Sequence, residues 1–257
     1  WRNATVEPFS VDTVKSGLYK KKRGSGADSH GWRYDDLKKL VSAASGDAGF
    51  LTPLINAIAQ GRFNDSPHAL EVLTGLRGIA LAKEPDTRTK VRPIGIGNIF
   101  VSLTGSLLAA RHIGAFAGHA NNLAVGVPGG ADIAGRLALA ALSLGAPAFG
   151  HADGGNAFNG ARRDMTVQGL NKIDEVQPYT RTRYGNAAHV NFKSQDGMVK
   201  VSTMQERGSI QGCPLGMVAF CVAQETALRK GNEQMKTAQT PYADDAAFAG
   251  SVADILR

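Results

Sequence analysis

The stretch Thr240–Ser251 reads TPYADDAAFAGS, and its centre, Tyr242-Ala243-Asp244-Asp245, decides how the rest of the chain is read. Two adjacent carboxylates sit in a run that is otherwise small and apolar. Charges beside a buried strand repel each other and resist desolvation, so such a pair needs something to neutralise it. The flanking residues predict two strands with the acidic pair at the tight turn of a hairpin. A third carboxylate ends another expected strand: APAFGHAD, residues 146–153, reads as a short buried strand finishing on Asp153. If these strands are neighbours, Asp153, Asp244 and Asp245 meet at one rim. Hard divalent cations with oxygen ligands suit such a cluster. Two of them about 4 Å apart can activate an attacking hydroxyl and stabilise a leaving pyrophosphate. Adjacent aspartates also occur in turns and at helix N-termini that bind nothing, so the pair takes its meaning from its surroundings.

At 257 residues, 43% of them hydrophobic, the chain can bury one large core or two closely packed subdomains. No uncharged apolar run of membrane-spanning length is expected; the longest candidate, Ala131–Gly150, is broken by Asp132, Arg136 and Pro147. The net charge of +7 favours a polyanionic partner such as nucleic acid. Much of that excess lies early, in KSGLYKKKRGSG (Lys15–Gly26), which reads either as a solvated basic linker or as a phosphate-contacting segment. Two cysteines, Cys213 and Cys221, make no disulfide framework and have no zinc spacing, so a reducing compartment is expected, nuclear or cytoplasmic rather than secreted. Cys221 is expected in the core. Trp1 in place of Met suggests a fragment or a processed chain.

The apolar periodicity predicts helices at 34–45, 50–61, 98–119, 131–144, 162–173 and 214–230. Leu76–Gly97 reads as two strands around the polar turn KEPDTRTK, and His189–Thr203 as a hairpin around QDG. The mixture of hairpins and long helices favours an α+β fold. A lid-like part over residues 1–95 and a sheet backed by helices over 96–257 are expected.

Taken in order, several stretches resemble reverse transcriptases, most closely those of non-LTR retrotransposons. GSGADSHGWRYDDLKKL (Gly24–Leu40) resembles the glycine-rich motif before their first finger helix, and KVRPIGIGNIFVSLTGSLL (Lys90–Leu108) their finger motif with its Arg-Pro-Ile centre. AVGVPGGADIA (Ala124–Ala134) is similar to the segment preceding the palm strand. GHADGGNAFNGARRD (Gly150–Asp164) resembles the first catalytic motif, GSIQGCPLG (Gly208–Gly216) the Gln-Gly turn, and YADD the second catalytic motif. The ordered set spans about 220 residues. It implies the fingers and palm of a polymerase right hand, with an antiparallel palm sheet. Twelve residues follow Asp245, so the thumb is expected elsewhere, with other parts of a larger polyprotein.

The resemblance implies RNA-directed DNA polymerisation with an RNA template, a DNA primer, dNTP and two Mg²⁺ ions, Mn²⁺ being an alternative. No membrane partner is implied. Asp153 and Asp244 would share the metals, and Asp245 would complete the cluster. Phe158 would lie under the incoming sugar and clash with a ribose 2′-hydroxyl. Lys90 and Arg92 carry the charge suited to triphosphate oxygens, Arg92 as a fixed guanidinium fork. Gln211 and Gly212 would face nucleotide and template, the glycine permitting close backbone approach. Tyr242 would pack the hairpin near the primer end. His151, two residues before Asp153, falls on the same strand face, although the family places no histidine there. The chain departs from the family at Cys213, often polar in relatives, and at Gly154-Gly155. Two rivals are a viral-type RNA-dependent RNA polymerase, which typically carries an aspartate where Phe158 stands, and a non-catalytic RNA-binding polymerase fold.

Overall fold

The structure is a computed structural model and describes residues 4–82, 91–153, 157–193, 198–209, 212–235 and 238–255. The chain runs through α1 (Val11–Tyr19), α2 (Tyr34–Ala43), α3 (Thr52–Ala59) and α4 (Pro67–Thr74) into β1 (Leu76–Ala82) and β2 (Val91–Gly97). Then come α5 (Ile99–Ala120), α6 (Gly130–Ser143), β3 (Ala148–Asp153), α7 (Ala157–Gly160), α8 (Arg163–Leu170) and, after a 3₁₀ turn, α9 (Gln177–Tyr184). The hairpin β4 (Ala188–Lys193)–β5 (Val199–Gln205) precedes α10 (Gly216–Met235). A second hairpin, β6 (Ala238–Tyr242)–β7 (Asp245–Gly250), and α11 (Val252–Ile255) end the described chain.

Local chemistry sets these boundaries. Ser10 caps α1 by accepting from the Thr13 amide, and Ser66 caps α4 with Pro67 in the first turn. Asp35 and Asp36 stand in the first turn of α2, where the helix dipole favours anions. Asn98 Oδ1 accepts from Phe100 N and Val101 N to open α5, and Asn121, at φ 44°, closes it.

Two sheets result, and the architecture is mixed α and β, as the α+β expectation has it. One sheet has the order β2-β1-β4-β5, with β1 parallel to β4 and its other pairs antiparallel. The other is wholly antiparallel in the order β3-β7-β6. The anticipated division at 95/96 falls inside β2, and the first sheet takes strands from both sides of it, because β4 docks beside β1 across more than a hundred residues of chain. Pairing at such separation leaves no local trace.

The core gathers between α3, α5, α9 and α10, around Ile55, Ile58, Leu103, Leu108, Tyr179 and Cys221. Each such fully buried aliphatic side chain contributes roughly 1.5–3 kcal/mol. Cys221 is buried as expected, and so is Cys213, whose sulfur lies 4.0 Å from Tyr179 Oη. By length and composition α5, not the 131–150 stretch, is apolar enough to cross a membrane; here it packs on α1, α3 and α10 and carries Arg111 and His112.

Two further expectations change. The strand ending at Asp153 is not buried: it lies at one side of its three-stranded sheet, with Phe149, His151 and Ala152 exposed. The early basic segment is not a plain linker. Lys15 lies within α1, a helix not anticipated, and Lys21 Nζ donates to Ser106 Oγ on α5. Burial lowers the Lys21 pKa.

Candidate active site

The hairpin β6–β7 turns through a two-residue loop, Ala243 and Asp244, because Tyr242 pairs with Asp245. Ala243 has φ 53°, the left-handed region at the first loop position, and Asp244 is not among the positive-φ residues. That pattern fits a type II′ hairpin, whose twist matches the flanking strands. Asp244 and Asp245 are both half-buried.

Strand β7 also pairs antiparallel with β3, and the register sets Asp153 directly opposite Asp245. Directly opposite positions of an antiparallel pair share one face of the sheet, a few ångströms apart. The two acidic positions, 92 residues apart in sequence, are thus adjacent. His151 joins them: its Nε2 is 3.3 Å from Asp245 Oδ1, with 54% and 50% of the two side chains exposed.

Asp244 also acts on α10. The Cys221 thiol of α10 is pushed up to about 12, chiefly by burial and then by the Asp244 charge. The ladder register makes Asp245 the partner of Asp153, whereas the sequence placed Asp245 second to Asp244.

Phe158, on α7, stacks at 4.7 Å between ring centroids on Phe220, the neighbour of Cys221 on α10. It is half-buried and packs against the core, so part of its role is that of an ordinary core aromatic. Its carbonyl accepts from Ser209 N at 2.8 Å, and the Ala161 carbonyl accepts from Gly208 N at 2.7 Å. These bonds tie α7 and the following Ala161 to Gly208 and Ser209.

Gly212 has φ 107°, and a Cβ there would lie 2.6 Å from the Gly95 carbonyl oxygen. The glycine is demanded by β2 itself, which its backbone abuts. A cavity of about 310 Å³ opens at this contact, lined by Gly212, Ile94–Gly97, Tyr34, Ser102 and Lys21 among others. Burial pushes the Tyr34 hydroxyl up to about 12, so it stays a neutral donor. Arg92 lies on β2 opposite Leu81 and is exposed. Lys90 and Gln211 lie outside the described residues. Tyr242 is half-buried beside the acidic turn.

Among the described residues no three His, Cys, Asp or Glu side chains form a group that could hold a metal ion. Asp153 enters through its backbone register alone. Two carboxylate positions paired across a ladder, with a third in the adjoining turn, supply oxygen donors of the kind hard divalent cations take.

Sequence reasoning missed two anchors. Asp28, 2% exposed, accepts from His30 N and Trp32 N through Oδ1 and from Ile99 N through Oδ2, pinning the glycine-rich loop to the start of α5. Its spacing from His30 and Trp32 could have revealed a local turn, but not the bond to Ile99. Asn122, also buried, bonds the Ala243 backbone; an Asn-Asn pair after a long helix reads only as a helix end.

No protein-family model matches the chain, and no curated protein is significantly similar to it.

Proposed function

We propose that the chain is the fingers–palm core of an RNA-directed DNA polymerase. The observation that carries the reading is the ladder position of Asp153 opposite Asp245, at the mouth of a Tyr-Ala-Asp-Asp hairpin. The ordered motifs of the sequence support it independently. In this reading β1 and β2 belong to the fingers and the β3-β7-β6 sheet is the palm.

Asp153, Asp244 and Asp245 would hold two Mg²⁺ ions, which when bound supply Lewis-acid activation of a primer 3′-hydroxyl and neutralise the triphosphate. The chain's own residues do the positioning. Arg92 offers a guanidinium on the exposed end of β2. Gly212 and the Ile94–Gly97 stretch line a cavity. Phe158, fixed from behind by Phe220, presents a rigid ring that excludes a 2′-hydroxyl. Template base pairing selects the base, and the net positive surface holds the nucleic-acid backbones.

The test is single-turnover extension of a DNA primer on an RNA template, with and without Mg²⁺, using dNTP and rNTP in parallel. Metal-dependent dNTP incorporation that Asp245→Asn abolishes is expected. Robust rNTP use with dNTP refused would instead make the chain an RNA-dependent RNA polymerase. Template binding without extension would make it a non-catalytic RNA-binding fold.

A further inference from the structure

The connection from α5 to α6 passes beside the acidic turn, and one side chain joins the two. Asn121 ends α5 in the left-handed region, and Asn122 follows with 5% of its surface exposed. Asn122 Oδ1 accepts from Ala243 N at 3.0 Å and from Ala124 N at 3.0 Å, and Nδ2 donates to the Ala243 carbonyl at 3.1 Å. Two N–H groups point at one end of the amide and a carbonyl at the other, so a single amide orientation satisfies all three bonds. Next to it Leu123 N donates to the Pro241 carbonyl at 3.0 Å. The loop is braced from behind as well. Gly130 sits so close that a Cβ there would fall 1.9 Å from the Leu123 carbonyl oxygen.

The residue gripped this way is the strained one. Ala243 holds φ 53°, which a residue with a Cβ seldom adopts, at a loop position where glycine is favoured. Its peptide sets the direction in which Asp244 and Asp245 leave the turn.

We propose that Asn122 is a positioning residue for the acidic turn: its amide locks the Ala243 peptide in the left-handed conformation and thereby fixes where Asp244 and Asp245 present their oxygens. The catalytic consequence rests on the polymerase reading, whereas the clamp belongs to the metal-free chain. Asn122 touches no reacting group. Its loss lowers kcat and leaves KM for dNTP nearly unchanged, because Arg92 and the cavity at Gly212 lie on other elements.

The test uses the full chain with Asn122→Ala, Asn122→Asp and the double variant Asn122→Ala with Ala243→Gly. In metal-free protein the Ala243 amide of Asn122→Ala exchanges its hydrogen roughly tenfold or more faster than wild type, as expected for a lost buried bond. Primer-extension kcat falls by a similar factor. The added glycine, at ease with positive φ, restores part of that kcat, while the Ala243 amide, still without its Asn122 acceptor, keeps its fast exchange. Asn122→Asp sets a carboxylate oxygen against the Ala243 carbonyl and shows both effects in weaker form. Wild-type exchange at Ala243 together with wild-type kcat in Asn122→Ala overturns the proposal. If that variant does not fold, the same result in Asn122→Asp overturns it. A wild-type chain that extends no primer, with faster Ala243 exchange in Asn122→Ala, supports the clamp and removes the polymerase reading.

Discussion

Asp153 and Asp245 occupy directly opposed positions on β3 and β7, and His151, two residues before Asp153, reaches the Asp245 carboxylate at 3.3 Å. Two acidic residues at opposed ladder positions cost stability if both are charged, unless a cation neutralises them.

Replacing Asp153 or Asp245 with Asn, or Asp244 with Ala, is expected to lower single-turnover extension by roughly 10²–10³-fold or more. The thermal midpoint of the metal-free protein should hold or rise as repulsion is relieved. Extension within twofold of wild type would remove the residue concerned from the reaction. The exposed His151–Asp245 pair itself contributes little, on the order of 0–1 kcal/mol.

Phe158→Val should raise the ratio of rNTP to dNTP incorporation by about tenfold or more, since a 2′-hydroxyl then fits where the ring edge stood. Because the ring also packs on Phe220, unfolding free energy should drop by about 1–3 kcal/mol. Loss of stability with an unchanged sugar preference would leave Phe158 a core residue only.

Gly212→Ala forces a side chain into φ 107° and onto the Gly95 carbonyl. A cost of about 1–3 kcal/mol is expected, read as a lower urea midpoint. An unchanged midpoint would mean that β2 and the Gly212 turn are not in contact in solution.

Alkaline pH should destabilise the fold. Cys221 is raised from 9.0 to about 12 and Tyr34 from 10.0 to about 12, both first by burial. The unfolded chain releases these protons above pH about 9 and 10 while the folded chain keeps them, so rising pH favours unfolding through that window up to about 12. Melting between pH 8 and 11 measures the slope, and Cys221→Ala should flatten its lower part. In the native protein at pH 8, both buried thiols should resist alkylation until the chain unfolds.

Template binding should weaken steeply with salt, given the net charge of +7 and the dependence on counterion release. Titration from 50 to 200 mM salt would show it; a flat response would argue against backbone contacts.

The positions of most helices were legible in the sequence because period and caps are local: Asn98 opens α5 and the Asp35-Asp36 pair starts α2 wherever the chain goes next. The antiparallel strand pairs β1–β2 and β6–β7 were legible for the same reason, while the KEPDTRTK turn lies outside the described residues. The α1, α4 and α9 helices were not anticipated, although they are as long as α3 and α8.

What the sequence determined by itself is the chemistry on offer: which acids, which aromatic, which glycines, and that two strands meet at Tyr242–Asp245. Only the tertiary structure decided that Asp245 rather than Asp244 faces Asp153, that Gly212 is demanded by Gly95, and that Asn122 grips Ala243. Local preference acts over a few residues, whereas strand register and a buried amide's partners are fixed by which distant surfaces pack, and here those partners lie 92 to 121 residues apart.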